Sequence, residues 1–502
     1  MIHISTSFAL LVVAIIILVC IAGSRLSGRL GVPTLFIFIM LGMLFGSDGI
    51  FKIPFGNFAL AEQVCSVALI FIMFYGGFGT RWSEAKPVAG RSILLSSAGV
   101  VLTAFLTGLF CHLVLKMALM EGMLLGAVLG STDAASVFSI LRSRKLNLKY
   151  GTASMLELES GSNDPFAYMM TVILLSAMTG SVSGGSAVLL LIRQLAFGLL
   201  TGAAVAWLVT WLLKRYAFYG EGFDTIFVFA AAIISYALAS QIGGNGYLSV
   251  YLTGIILGNQ ELKNQKALVG FFDAFTGMMQ MLLFFLLGLL AFPSQMPSIV
   301  LPAIAIALFL TFVARPAAVG LLLAPSKPPI GQYLVISWAG LRGAASIVFA
   351  IMATLSEGYM KYDIFHIVFC VVLFSIIFQG SLLPKVAEKC DMIDNSTDVM
   401  RTFSDYTGDM QIQFVQLPIG DNHPWKNRKI CEIEMLPGML ITVIRRGAQT
   451  IVPKGQTVIL EGDTVVLGAE GFTDSQGILL KEILMTPDHR WCGKKIAEAR
   501  FY

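Results

Sequence analysis

Apolar residues run along this chain in long blocks up to about residue 383, separated by short charged or Pro/Gly-bearing breaks. The blocks lie near 8–22, 32–46, 61–79, 91–117, 121–142, 151–178, 187–214, 224–242, 246–258, 266–291, 297–323, 330–355 and 361–383. Many approach the ~20 residues that an α-helix needs to cross the ~30 Å hydrocarbon core of a bilayer, so the pattern predicts thirteen spanning helices. The first block lacks a basic leading segment and a small-residue cleavage site, and further blocks follow closely, so it reads as a retained helix rather than a signal peptide. After Lys389 the pattern changes. A polar stretch gives way to short alternating segments with Gly and Pro turns, including Met439 to Val443 and Thr457 to Leu460, with Val465 to Leu467 closing the unit. Period-two alternation of this kind predicts strands, and a small α+β domain fits.

Composition agrees: 56% of the 502 residues are hydrophobic and 13% charged, against about 25% charged in soluble domains. The net charge of +4, from 34 Lys and Arg against 30 Asp and Glu, decides less than its distribution. Alternate connections carry Arg25, Arg29, Arg81, Lys86, Arg91, Arg142, Arg144, Lys145, Lys149, Lys214, Arg215, Lys263, Lys266, Lys327, Lys385 and Lys389; the others carry only Lys52, Lys116 and Lys361. Because basic loops stay cytoplasmic, this predicts an N-terminus outside, a C-terminal tail inside and an odd number of spans. Seven cysteines are scattered without paired or metal-ligand spacing and read as small apolar filler.

Against this apolar background, a few charges stand where a charge is costly. Asp133 lies twelve residues into the fifth block, Asp164 thirteen into the sixth with Glu159 five before it, and Arg342 twelve into the twelfth. At 1.5 Å per residue each reaches roughly the bilayer midplane, where an ionisable group marks a pathway, a relay or a counter-ion. In Gly130-Ser131-Thr132-Asp133 the glycine and hydroxyl residues invite a helix break that would release backbone carbonyls as hard oxygen ligands. In Glu159-Ser160-Gly161-Ser162-Asn163-Asp164-Pro165, Ser160 and Asp164 share a helix face, and Pro165 cannot donate to the Gly161 carbonyl. Gly340-Leu341-Arg342-Gly343 would loosen the twelfth helix opposite the fifth. Ala134-Ala135-Ser136-Val137-Phe138 and Ala344-Ala345-Ser346-Ile347-Val348-Phe349, seven spans apart, echo each other as equivalent helices of inverted repeats would. Arg315, before Pro316, reads as lying near the inner end of the eleventh span, there to snorkel or to pair with a loop or tail acid.

With these three motifs in order, nearly the whole membrane region resembles the cation:proton antiporters of the NhaP and NHE type. The resemblance implies a thirteen-helix homodimer with a dimerisation domain and a mobile core. It implies that Asp164 binds cation and proton, that Asn163 completes an Asn-Asp pair associated with electroneutral exchange, that Asp133, Thr132 and Ser160 belong to the site, and that Glu159 and Arg342 form a structural ion pair. In the tail, His423-Pro424-Trp425 through Ile430, Val443 to Gly447, Val452-Pro453 and Glu461-Gly462-Asp463 resemble the RCK-C or TrkA-C regulatory domain of potassium-conductance proteins. Such domains dimerise and bind small ligands, cyclic dinucleotides among them, and the likeness tilts the expected cation from Na+ toward K+. His489 to Ile496 echoes His423 to Ile430, so both histidines read as parts of a repeated turn rather than metal ligands.

The expected organisation is therefore a membrane domain over 1–389, a linker over 390–409, a regulatory domain over 410–469 and the start of a second copy over 470–502. The expected partners are the lipid bilayer of the cytoplasmic membrane, K+ or Na+, H+ and a second copy of the chain, with no nucleic acid, no catalytic residues and no metal beyond the transported cation. A gated channel, a proton-coupled solute symporter and a non-transporting sensor remain as rivals. The chain lacks a Thr-Val-Gly-Tyr-Gly filter, and the residues beside its midplane charges are Gly, Ala, Ser and Thr rather than the aromatic set an organic solute would want.

Overall fold

The computed structural model of the protein describes residues 6–30, 33–144, 146–181, 184–215, 222–260, 262, 265–356, 360–394, 412–421, 423–433, 435, 439–447 and 449–470. The chain forms two compact units, Met1–Thr407 and Gly408–Tyr502.

In the first unit the helices are α1 (Thr6–Leu30), α2 (Thr34–Phe45), α3 (Phe58–Gly79), α4 (Ala89–Leu113), α5 (Leu119–Val128), α6 (Ala134–Ser143), α7 (Thr152–Met178), α8 (Gly184–Arg215), α9 (Phe223–Gln241), α10 (Gly246–Gly258), α11 (Gln265–Leu290), α12 (Val300–Ser326), α13 (Ile330–Trp338), α14 (Ala344–Leu355) and α15 (Ile364–Lys389). Among the described residues seven helices are long and apolar enough to cross a membrane alone: α3, α4, α8, α9, α11, α12 and α15. The shorter apolar helices include α2, α5, α10 and α14. Asn57, Asn245 and Asp363 start α3, α10 and α15, their side chains accepting from the N–H of Leu60, Leu248 and His366, which satisfies donors that a helix start leaves over.

Two helix sets are distinguishable by packing. In one, α3 lies against α10 and α11, and α11 against α2. Phe71 of α3 stacks on Phe229 and meets Phe275 edge-on, and Phe74 and Phe78 pack in tilted pairs with Phe272. In the other, α7 packs against α4 and α5, α14 against α15, and α6 against α7 and α15. α12 packs against α4 and α15, and α4, α12 and α15 each contain a π-helical turn, at Leu95–Gly99, Leu310–Ala314 and Ser375–Gly380, a distortion that recurs at functional sites. The expected breaks in the fifth and twelfth spans are present, α5 and α6 being separated by 129–133 and α13 and α14 by 339–343.

The second unit is a four-stranded antiparallel sheet, β1 (Ile412–Pro418), β2 (Met439–Arg446), β3 (Gln449–Ile451) and β4 (Asp463–Glu470), in the order β1-β4-β2-β3, with a bulge between Ile441 and Val443. Ile419, Ile433, Ile441, Ile444, Ile459, Val465 and Leu467 form its core. The strands of the expected α+β domain are present. Among the described residues this unit holds strands and one 3-10 turn at Ile430–Glu432, with no α-helix. Thr457 to Leu460 meets its neighbour through a single bridge, Lys429 to Val458, rather than a ladder. His423 belongs to a turn, its Nδ1 accepting from the Trp425 N–H at 3.2 Å. The proposed second copy, His489 included, and most of the linker lie outside the described residues.

Candidate functional site

The two helix breaks meet. The Asp133 N–H donates to the Leu341 carbonyl at 2.8 Å, so the unwound stretch after α5 lies directly against the one after α13. Gly343 makes this approach possible: its backbone is extended, and any Cβ there would run into the Asp133 side chain. Nitrogens and carbonyls that a continuous helix would have paired are instead turned toward side chains, as discontinuous helices at an ion site require.

The middle of α7 faces this crossing, and its side chains claim the exposed backbone of 131–133. Ser160 Oγ donates to the Thr132 carbonyl at 2.7 Å, the Thr132 N–H donates to Asn163 Oδ1 at 3.2 Å, and Asn163 Nδ2 donates to Thr132 Oγ1 at 2.5 Å. The Ser131 hydroxyl donates to Asp164 Oδ1. Asp133 accepts from the Ser136 N–H at 3.2 Å and from Ser136 Oγ at 2.5 Å, a cap for α6 supplied from the break itself. Ser131, Thr132, Ser160, Asn163 and Asp164 are all buried. Thus Asp164, Asp133, Thr132, Ser160 and Asn163 are brought into one network. They do not all face the same way. Asp133, Thr132, Ser160 and Asp164 line a cavity of about 460 Å³, together with Ser131 and Gly161, whereas Asn163 is not among its lining residues. Glu157, Asp273 and Tyr75 line the same cavity, the Tyr75 hydroxyl donating to Asp273 at 3.0 Å.

The expected ion pair is corrected. Glu159 Oε1 lies 2.6 Å from Nη1 of Arg315, with both side chains buried, and Arg342 instead donates from Nη1 to the Ser131 carbonyl at 3.0 Å. Arg342 is tied further through its backbone N–H, which donates to Ser375 Oγ at 3.1 Å, while Ser375 donates to Gln379 Oε1 at 2.5 Å. The reading of Arg315 as an inner-end residue is corrected with it. Arg315 stands fifteen residues after Val300 in a helix that runs to Ser326, at mid-depth rather than at the rim, and is 5% exposed.

Sequence reasoning missed Ser375 and Gln379, gave Ser131 no place in the site and misplaced Arg315. A count from the helix start would have put Arg315 at mid-depth, and Ser131 adjoins residues already singled out. Nothing in the local sequence marks Ser375 and Gln379, which act from the π-helical turn of α15 on a backbone more than thirty residues away.

Comparison with known proteins identifies the family. Residues 14–389 match the family described as sodium/hydrogen exchanger, transmembrane, and residues 414–470 match the TrkA-C domain. A protein named K(+)/H(+) antiporter NhaP from Alkalimonas amylolytica is 36% identical over 382 residues, 76% of this chain and 66% of that protein. A K(+)/H(+) antiporter NhaP2 from Shewanella oneidensis is 36% identical over 383 residues, with 75% and 66% covered. The chain thus spans about two thirds of the length of these relatives. The sodium proton antiporter MjNhaP1 from Methanocaldococcus jannaschii at pH 8 has the same fold, with a TM-score of 0.67 at 23% identity over 76% of this chain and 99% of that one. The chain is a mainly helical, multi-pass membrane protein, and it belongs to the transmembrane sodium/hydrogen exchanger family.

Proposed function

We propose that the protein exchanges a monovalent cation, K+ in preference to Na+, for H+ across the cytoplasmic membrane, with Asp164 as the shared binding group. The observation that carries this reading is the placement of Asp164 in a cavity wall beside unwound backbone, held by the Ser131 hydroxyl. A carboxylate, a hydroxyl and carbonyl oxygens are the hard ligands that suit an alkali cation. The names of the 36%-identical relatives favour K+; that of MjNhaP1 keeps Na+ as the second reading.

Charge makes the exchange one for one. In this scheme Asp164 carries the one exchanged charge: Glu159 is paired with Arg315, whereas Asp164 is held by the Ser131 hydroxyl and has no ion pair among the described residues. One cation or one proton cancels that charge. A charged network is expensive to carry through hydrocarbon and a neutral one is not, so only the loaded site crosses, and each ion's release is conditioned on the other's arrival. Because both loaded forms have the same net charge, the exchange is electroneutral. No catalytic residue and no resident metal or cofactor enters this scheme.

The remaining organisation follows. Counting α5 with α6 and α13 with α14 as one broken span each gives thirteen spans, and the sidedness of the basic connections then puts the N-terminus outside and the tail domain in the cytoplasm. We take residues 1–389 as the transport domain, 390–409 as linker, 410–469 as the regulatory domain and 470–502 as the start of a second one. The active form is a homodimer whose tail domain binds a small regulatory ligand, a cyclic dinucleotide being the first to test.

The deciding experiment is reconstitution in liposomes enclosing a pH-sensitive dye, with K+ or Na+ added outside, for the wild type and Asp164→Asn. Proton flux driven by K+ and lost in the variant supports the reading. Equal flux with Na+ alone shifts the ion, and flux that persists in the variant or is absent with both cations overturns it.

A further inference from the structure

The cavity beside Asp164 lies toward one end of the helices that form it. On α3 its lining runs from Leu69 to Gly79, the second half of that helix, and on α7 from Glu157 to Asp164, within the first half. In the other direction, where α7 continues and α3 begins, aromatic rings close the packing. Tyr168 meets Tyr247 edge-on with ring centroids 5.1 Å apart, and both lie against Phe349, at 5.8 and 6.3 Å. Tyr168 follows Asp164 by four residues and so shares its face of α7. Polar groups stand behind these rings. Tyr247, which is 2% exposed, hydrogen-bonds with Ser66 and with Tyr236, and Ser66 Oγ donates to Glu62 Oε1 at 2.9 Å. Glu62 is within Coulombic reach of Tyr168 and Tyr236 as well. Asn57 already caps α3, so the helix start does not need this carboxylate.

We propose that Glu62, Ser66 and Tyr247 form a second ion station, through which the cation and the proton pass between Asp164 and the membrane face at the start of α3, with Tyr168, Tyr247 and Phe349 closing that route in the arrangement described here. Exchange requires one carboxylate to be reached from both faces in turn, and the cavity serves one of them. An alkali cation passes through apolar packing only where oxygen ligands replace its water. The carboxylate of Glu62 and the hydroxyls of Ser66 and Tyr247 are such ligands, and Tyr168, one helical turn from Asp164, leads to them. Glu62 precedes Gly76 of the cavity wall by fourteen residues, or ~21 Å along α3, so the two stations serve opposite faces. The closing rings belong to α7 and α14 on one side and to α10 on the other, members of the two helix sets, so a shift of one set against the other opens them.

This inference rests on the antiport reading, and the sidedness given above makes the start of α3 the outer face. The test uses the full chain in right-side-out and in everted membrane vesicles, with K+ or Na+ added, whichever drives proton flux in the wild type. Glu62→Gln should raise KM for the cation at the outer face by about tenfold, and KM for H+ there in parallel because both ions share the route, while both inner values stay within about twofold of the wild type. Attraction by a charge is screened by salt, so the outer difference should shrink as choline chloride raises the ionic strength, a response that a lost packing contact would not give. Tyr247→Phe keeps the ring and removes the hydroxyl; it should raise the outer KM by about threefold, and it decides the question by itself if Glu62→Gln does not fold. Equal changes at both faces, a change confined to the inner face, or no change in either variant overturns the proposal. A wild type that moves no protons with either cation overturns the antiport reading and this one with it, whereas an active wild type whose variants do not distinguish the faces overturns this inference alone.

Discussion

The contact of α3 with α10 and the crossing of 131–133 with 340–342 are both places where backbone meets backbone inside the membrane unit, and they solve the problem in opposite ways. At α3 and α10 both helices are regular, their hydrogen bonds are satisfied internally, and small residues bring them together: a Cβ at Gly258, Gly254 or Gly77 would collide with the backbone of Phe78, Phe74 or Tyr251. This is the small-residue packing that stabilises helix pairs where lipid offers no hydrophobic drive. At the crossing the helices stop, and buried side chains take over the unpaired groups: Ser160 and Asn163 on Thr132, Arg342 on Ser131, Ser375 on the Arg342 N–H. The first contact makes a surface with one arrangement. The second makes a set of oriented polar groups around Asp164, which a rigid apolar seam could not supply.

The contrast can be broken from either side. The largest effect is expected from Gly258→Ala, where the obstacle is a main-chain carbonyl that cannot step aside; overpacking of this kind costs about 3 kcal/mol. A fall in folded yield and melting temperature would show it, and Gly270→Ala, with open space around the new methyl, should melt like the wild type. Ser131→Ala comes next. Loss of a hydrogen bond to an ionised group costs about 1.5–3 kcal/mol, so the apparent cation affinity should fall by roughly ten- to a hundredfold while melting changes little. A variant that unfolds instead would make the crossing structural. Asn245→Ala sharpens the comparison at the point where α10 touches α7: Asn245 Nδ2 donates to the Pro165 carbonyl at 2.8 Å, one residue from Asp164. The substitution removes this hydrogen bond and the cap on α10, each worth about 1 kcal/mol, and should change maximal flux by a few-fold, without the affinity loss of Ser131→Ala.

The smallest effect concerns the soluble unit, which uses a third solution. Asp463 at the start of β4 receives Arg446 Nε at 2.8 Å and Nη2 at 2.9 Å, and the Leu460 N–H at 2.8 Å. The Arg446 hydrogen bonds hold the Asp463 carboxyl below its ordinary range. A depressed folded-state value means that the stabilisation is complete above the unfolded value of about 3.9 and is lost as pH falls through the folded one. Protection factors of the β2 and β4 amides, with the intrinsic pH dependence of exchange divided out, should therefore be flat from neutral pH to about 4 and fall below it. Arg446→Gln should quicken exchange at neutral pH and flatten the acid dependence; unchanged protection would rule out a stabilising role for the pair.

Much of this was legible before any coordinates. Gly130 and Gly340-Leu341-Arg342-Gly343 announce the two breaks, because there glycine stands beside hydroxyls or an isolated charge, which a spanning helix does not hold without a local reason. Asp133, Asp164, Asn163, Ser160 and Thr132 were found as midplane polar residues and do meet in one network. The strands around Met439 and Val465 follow from alternation, while Thr457 to Leu460 lies beside 427–431 through backbone hydrogen bonds around a single bridge and does not extend into a strand.

What the amino-acid order by itself determined is position along the helix axis: where the apolar segments lie, how deep Asp133, Asp164 and Arg342 sit within them, and where a helix cannot continue. These depend on 1.5 Å of rise per residue and on the cost of burying a charge or an unpaired amide, both local quantities. Rotation and partnership were decided only in three dimensions. Glu159 could be matched with Arg342 as readily as with Arg315 on depth alone, and the π-helical turns in α12 and α15, which set the angular positions of the residues beside and beyond them, leave no mark in hydrophobic periodicity. A buried charge takes the counter-charge that packing brings within 3 Å, and in this protein the packing of α7 against its neighbours brings Arg315 to Glu159 and leaves Arg342 for the backbone of Ser131.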